Sequence, residues 1–156
     1  MAVENPQLTD TVVMIRPDTF GFNPQTGLDN SFQHQPTVSE AETRQQALGE
    51  FGKMVTKLED HGLRVVVLNS PLGPKGEITP DAIFPNNWFS THPGKLVLYP
   101  MKAPNRRLER QPEALKKALL GVKVLYPQTI DLTTDEQSGQ ILEGTGSLVL
   151  DRTHKV

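Results

Sequence analysis

Residues 39–68, SEAETRQQALGEFGKMVTKLEDHGLRVVVL, decide the fold class. Ser39 and Glu42 have the spacing of a capping box, in which hydroxyl and carboxylate each satisfy an end amide. Ala47, Phe51, Met54, Val55 and Leu58 then recur at helical spacing, so a helix over 39–61 with one apolar stripe is predicted. Gly62 suits the left-handed residue that closes such a helix. Leu63–Leu68 is almost wholly apolar and reads as a strand buried on both faces. Upstream, TVVMIR (Thr11–Arg16) is a β-rich run ended by Pro17. Strand, helix and strand in that order suggest a crossover unit, and with it an α/β class.

Between these elements lies a polar loop over 17–37, about twenty residues without apolar periodicity. It holds Phe20, Phe22 and Phe32, which argue against simple disorder, and Asn23 and Asn30 lie among them. It is read either as an ordered loop near a ligand or as a plain Ω-type loop. Downstream, 69–80 is a Gly/Pro loop, and strands are expected over Ala82–Ser90 and Lys95–Tyr99, turning through His92-Pro93-Gly94. A basic stretch over 101–111 precedes a short helix from Pro112 to Leu120, with Leu115 and Leu119 inward and Gly121 as terminator. Strands are further expected over Val122–Tyr126 and Ser147–Asp151, on either side of an unassigned polar segment (129–140). Arg152–His154 reads as a turn and Lys155–Val156 as the start of a return strand, as though the polypeptide were cut within an element.

The 156 residues are the size of one domain, and no separate linker domain is expected. No apolar run approaches the length of a transmembrane helix, and Met1–Asp10 lacks the pattern of a signal peptide. Sixteen basic against eighteen acidic residues give a net charge of −2, which offers no case for nucleic acid or an anionic membrane as partner. The chain has no cysteine, excluding disulfides, thiolate metal sites and a cysteine nucleophile within these residues. A cytoplasmic location is the expectation compatible with this.

No histidine among His34, His61, His92 and His154 pairs with another ligand at zinc spacing, so no metal and no cofactor is expected. His61 reads as a helix-dipole partner. EGTGS (143–147) lacks the lysine of a phosphate loop. More informative is DAIFPNNW (81–88), with two adjacent amides and the only tryptophan in an apolar context. Buried amides need partners. Asn86 and Asn87 either shape a bulge or form the floor of a pocket for a small planar ligand. Glu143 is either a solvated turn residue or a carboxylate beside a pocket, facing a cationic substrate or a histidine. Arg106, Arg107 and Arg110 read as a solvated face, or as the source of one bidentate clamp for a substrate carboxylate.

Together, MIRPDTFGFNPQTGLDNSFQ (14–33), PDAIFPNNWFSTH (80–92), RRLER (106–110) and ILEGTGSLVLDR (141–152) resemble the guanidino-group-modifying, or pentein, superfamily. That group includes arginine deiminases, dimethylarginine hydrolases and amidinotransferases; the branch most resembled is that of arginine-deiminase-related citrulline hydrolases. The resemblance implies a pentein α/β propeller of ββαβ-type modules, of which this chain would be the amino-terminal half: about two modules and the start of a third. Such a half is expected to be marginal alone, or to self-associate through unpaired propeller edges.

In the family, a cysteine thiolate attacks the central carbon of a guanidinium or ureido group, and a histidine protonates the departing amine and later activates water. Both lie in the carboxyl-terminal half, so His154 is not assigned that role, and the fragment alone is expected to be inactive. The resemblance makes Asp81 the acidic residue before the pocket strand and sets Asn86 and Asn87 where dimethylarginine hydrolases carry a Glu-Asp pair. It makes Arg106, with Arg107 as alternative, the grip on the substrate carboxylate, and Glu143 the support of the catalytic histidine. Asn23 joins the substrate-binding set.

Paired carboxylates suit a guanidinium, whereas amides, which both donate and accept, suit a neutral ureido group. The implied substrate is therefore a citrulline-like small molecule rather than an arginine-like one. Two other readings remain at this stage: a non-catalytic pentein-type binding module, and a complete small α/β domain without an active site.

Overall fold

A computed structural model describes residues 7–27, 30 and 33–154. Strand β1 (Thr11–Arg16) and strand β2 (Arg64–Asn69) run parallel in strict register, Thr11 opposite Arg64 through Arg16 opposite Asn69. Helix α1 (Glu40–Asp60) makes the crossover between them, as the sequence predicts. Its start is the full capping box: Ser39 Oγ accepts from the Glu42 amide at 3.3 Å while the Ser39 amide donates to Glu42 Oε2 at 3.0 Å. Its end is a Schellman motif built on Gly62 at φ +82°, with Gly62 N–H on Glu59 O and Leu63 N–H on Leu58 O.

No α1 residue is fully buried: Ala47, Phe51, Val55 and Leu58 of the predicted stripe are half-buried and Met54, on its margin, is 54% exposed. One expectation about this unit is corrected: strand β2 is not buried on both faces. Val66 and Leu68 face the core, while Val67 is 40% exposed, because the second face is only partly covered.

The second sheet has the order β3-β4-β5. Strands β3 (Phe89–His92) and β4 (Lys95–Leu98) form the expected antiparallel hairpin, with Gly94 at φ +70° in the turn. After a single-turn helix α2 (Pro104–Arg107), helix α3 (Pro112–Gly121) carries the chain to β5 (Gln128–Asp131), which pairs parallel with β4. Leu115 and Leu119 point into the core as predicted. They join Ile15, Leu68, Trp88, Phe89, Leu96, Leu98 and Met101 in one cluster, so α3 and both sheets share a core. The rings of Trp88 and Phe89 lie 4.5 Å apart at its centre. Ser90 Oγ bonds His92 Nε2 on its own strand (2.9 Å) and, across the hairpin, Tyr99 Oη (2.7 Å).

Three predicted strands fall elsewhere. The Ala82–Ser90 strand shrinks to β3, because Pro85 has no amide to give a ladder and the chain closes i→i+3 bonds instead (Asn87 N–H to Phe84 O, Trp88 N–H to Pro85 O). Asn86 and Asn87 therefore sit in a 3₁₀ turn. The strand expected at Val122–Tyr126 begins only at Gln128, since α3 is closed by Lys123 at φ +63°, not by Gly121. Ser147 ends a short helix α4 (Gly144–Ser147), and 148–151 joins no ladder among the described residues. The unassigned segment 129–140 holds most of β5 and a 3₁₀ helix (Thr133–Ser138). Arg152–His154 is a turn, with Asp151 Oδ1 accepting from the Thr153 and His154 amides. The expected return strand at Lys155–Val156 and the ring of Phe32 lie outside the described residues. The described residues form no closed propeller, and no helix among them is long and apolar enough to cross a membrane.

Candidate functional site

The loop over 17–27 is ordered by one fully buried side chain, Asn23. Its Oδ1 accepts from the Gln25 amide (3.0 Å) and from Asn105 Nδ2 (2.7 Å), and its Nδ2 donates to Asp81 Oδ2 (2.7 Å). Thr26 Oγ1 (2.8 Å) and Gln33 Nε2 (3.2 Å) also donate to Asp81. A buried carboxylate needs such donors, and here Asn23 and Thr26 of this loop and Gln33 beyond it supply three. Asp81 is thus the post around which the loop is wrapped.

Arg106 lies on α2, 7% exposed. Its Nε and Nη2 each donate to Glu109, both at 3.0 Å, forming a bidentate pair. Nη2 also reaches the Asp81 carbonyl (3.5 Å), and Nε is 3.8 Å from Asp81 Oδ2. Nη1 remains, 3.6 Å from Glu143 Oε2. Glu143 is further held by the Lys102 amide on Oε1 (2.7 Å) and by Asn87 Nδ2 on Oε2 (3.3 Å).

The glycines of EGTG explain this last contact. Gly144, at φ +42°, lies so close over the Asn86 carbonyl that a Cβ there would overlap it, and the Asn87 carboxamide occupies the space a Gly146 side chain would need. The turn after Glu143 therefore seats directly on the 85–87 turn.

Five of the six side chains singled out in the sequence (Asn23, Asp81, Asn87, Arg106 and Glu143) form one connected polar cluster. Asn86 does not join it. It is exposed and lines a separate cleft of about 440 Å³ with Phe89, Thr145 and Arg152, giving its carbonyl to Thr145 Oγ1 (3.5 Å). Between Arg106 and Arg107, the structure places Arg106 in the cluster. Arg107 bonds the Met101 carbonyl (2.9 Å) and pairs with Glu136 (3.3 Å), and Arg110 is bound to Glu136 as well. The three arginines are thus not a solvated face.

Sequence reasoning missed Glu109, Asn105, Thr26 and Gln33 of the cluster and, outside it, Glu136. The signal for Glu109 was present, since Arg106 and Glu109 are three apart on a helical turn. Burial pushes the Glu109 carboxyl up to about 7, against the pull of Arg106. Of the histidines, His61 Nδ1 bonds the Lys57 carbonyl (2.7 Å) at the end of α1, and exposed His154 pairs with Asp151. Burial lowers the pKa of His92. Among the described residues no three His, Cys, Asp or Glu side chains gather as a metal site would require. The cluster sets one buried guanidinium among three carboxylates, with the half-buried Asn87 amide at its edge.

No curated protein sequence matches the chain. Several solved structures share its fold, among them the following three. Unliganded AgrE is 20% identical, with a TM-score of 0.60 over 92% of this chain and 18% of that one. A cysteine-to-alanine variant of AgrE bound to L-arginine is also 20% identical, with a TM-score of 0.59 over 90% of this chain and 18% of that one. ArgZ, an arginine dihydrolase from the ornithine-ammonia cycle in cyanobacteria, is 18% identical, with a TM-score of 0.59 over 92% of this chain and 19% of that one. The chain therefore spans less than a fifth of the length of these proteins. The sequence model described as N,N dimethylarginine dimethylhydrolase, eukaryotic, matches residues 16–156, the whole of the cluster included, and the chain belongs to that pentein-type family.

Proposed function

We propose that this chain carries the substrate-binding portion of a hydrolase acting on the ureido or guanidino group of citrulline- or arginine-like amino acids. The observation that carries the reading is the contact of Asn87 with Glu143 beside Arg106, deep against Asp81. In this reading the chain is the amino-terminal part of a pentein propeller, and β3-β4-α3-β5 is one complete ββαβ module. The thiolate that attacks the ureido or guanidino carbon and the histidine that protonates the departing amine come from outside these 156 residues, which hold no cysteine. Glu143 orients that histidine, and Nη1 of Arg106 is the nitrogen left to meet a substrate carboxylate, its Nε/Nη2 edge being engaged by Glu109.

Asn87 directs the preference toward a ureido group. With one Nδ2 hydrogen on Glu143, the amide retains an acceptor oxygen and a second donor hydrogen. A neutral ureido group uses both, whereas a guanidinium offers only donors.

The Asn87→Asp substitution in the full-length protein tests this. It is expected to lower kcat/KM for citrulline by about tenfold or more while lowering that for arginine less, since a carboxylate at 87 cannot donate to the ureido oxygen and sets an acceptor against it. Equal losses on both substrates would remove Asn87 from substrate discrimination.

A further inference from the structure

We infer that Glu109 is a positioning residue for the candidate site: it holds the Arg106 guanidinium by the Nε/Nη2 edge and so aims Nη1 toward Glu143. The inference rests on the preceding reading of that site. Glu109 is 1% exposed, and in the structure both of its oxygens meet Arg106, at 3.0 Å each. The remaining contacts of the guanidinium are longer: 3.5 Å to the Asp81 carbonyl, 3.8 Å to Asp81 Oδ2 and 3.6 Å to Glu143 Oε2. Glu109 therefore supplies the two shortest bonds, and a planar fork gripped at two points has lost rotation about its own axis. That is why Nη1, rather than Nε, is the nitrogen presented to Glu143.

The charged groups facing Glu109 are Arg106 on α2, Asp81 before the 3₁₀ turn and Glu143 before α4. Burial and the two carboxylates oppose its ionisation, while Arg106 favours it, and the carboxyl titrates at about 7. Protonation removes one acceptor from the fork and the charge that strengthens both bonds. The grip on Arg106 thus weakens as the pH falls through neutrality, and substrate affinity falls with it.

The test uses the full-length protein labelled with ¹⁵N-arginine, the Arg106 Nε–H signal being assigned by its loss in Arg106→Lys. The expected signal is a slowly exchanging, downfield Nε–H at pH 8 that shifts with a midpoint near 7 and is absent at every pH in Glu109→Gln. Kinetically, Glu109→Gln is expected to raise KM by about tenfold while kcat stays within about twofold of wild type. An Nε–H signal that is unchanged from pH 6 to 8 in the wild type, or an unchanged KM in Glu109→Gln, overturns the inference. If Glu109→Gln does not fold, the wild-type Nε–H titration decides alone. If the wild type turns over neither citrulline nor arginine, the functional reading fails, while the same titration still judges the hold of Glu109 on Arg106.

Discussion

Replacing Gly144 by alanine strikes the joint on which the site is assembled. Gly144 has φ +42°, where an L-residue pays roughly 1 kcal/mol in steric strain. An added Cβ would overlap the Asn86 carbonyl oxygen and lie 3.0 Å from Tyr99 Cδ2 and 3.1 Å from the Asn87 carbonyl. Two of these neighbours are backbone atoms in a 3₁₀ turn that leads directly into buried Trp88, so they cannot rotate away. Overpacking of this kind costs about 1–3 kcal/mol. Together the terms predict a loss of about 3 kcal/mol for Gly144→Ala. The assay is urea unfolding of the protein followed by far-UV circular dichroism, with the midpoint read at unchanged slope. Gly146→Ala is the control. There the group in the way is the Asn87 carboxamide, the end of a side chain that can turn aside, so stability should change by less than about 1 kcal/mol. A Gly144→Ala protein within about 0.5 kcal/mol of wild type would show that the EGTG turn is not seated on the 85–87 turn as described.

Other consequences follow from particular residues. Gly146→Ala should nevertheless raise KM for the substrate by about tenfold by pushing Asn87 off Glu143, and an unchanged KM would separate that contact from binding. Lys123→Gly should stabilise the protein by about 0.5–1 kcal/mol, because exposed Lys123 closes α3 at φ +63°, where glycine is unstrained; thermal unfolding reads the sign, and a destabilised variant contradicts it. Glu109 binds its proton more tightly folded than unfolded, so it favours the folded state in acid and loses that contribution as pH rises from about 4.5 to about 7, by about 3 kcal/mol. The lowered carboxylates Glu136, Asp131 and Asp151 act in the opposite sense. The Glu109 effect is therefore read as the difference between wild type and Glu109→Gln in urea midpoints across pH 5–8, and a flat difference would refute it.

What could be read from the sequence was what is encoded locally. The capping box at Ser39 and Glu42, the left-handed Gly62 and the inward pair Leu115 and Leu119 depend on neighbours a few residues away, and all appear as expected. Where the competing choice depended on distant partners, pattern alone misled. An apolar β2 read as doubly buried, yet coverage of its second face is decided by packing, and Val67 is left 40% exposed. The 147–151 run has strand composition, but a ladder needs a partner, and none of the described residues supplies one. Asn86 and Asn87 were placed in a strand, because the consequence of Pro85 for hydrogen bonding was overlooked; they sit in a 3₁₀ turn, and only Asn87 joins the cluster.

The site followed the same division. Asn23, Asp81, Asn87, Arg106 and Glu143 were singled out through residue type and motif order, and the structure brings them into one polar cluster. Glu109 escaped because a carboxylate in a run of arginines looks solvated until its burial is seen. The loop over 17–37 read either as an ordered loop near a ligand or as a plain Ω-type loop; the donors Asn23, Thr26 and Gln33 to Asp81 give the physical reason that it is ordered there.

The most direct test of the functional account is the ratio of kcat/KM for citrulline to that for arginine, measured as ammonia release by the full-length wild-type protein. The Asn87–Glu143–Arg106 arrangement predicts a ratio of about ten or more, because a neutral ureido group satisfies an amide that a guanidinium leaves half-used. A ratio well below one would contradict it.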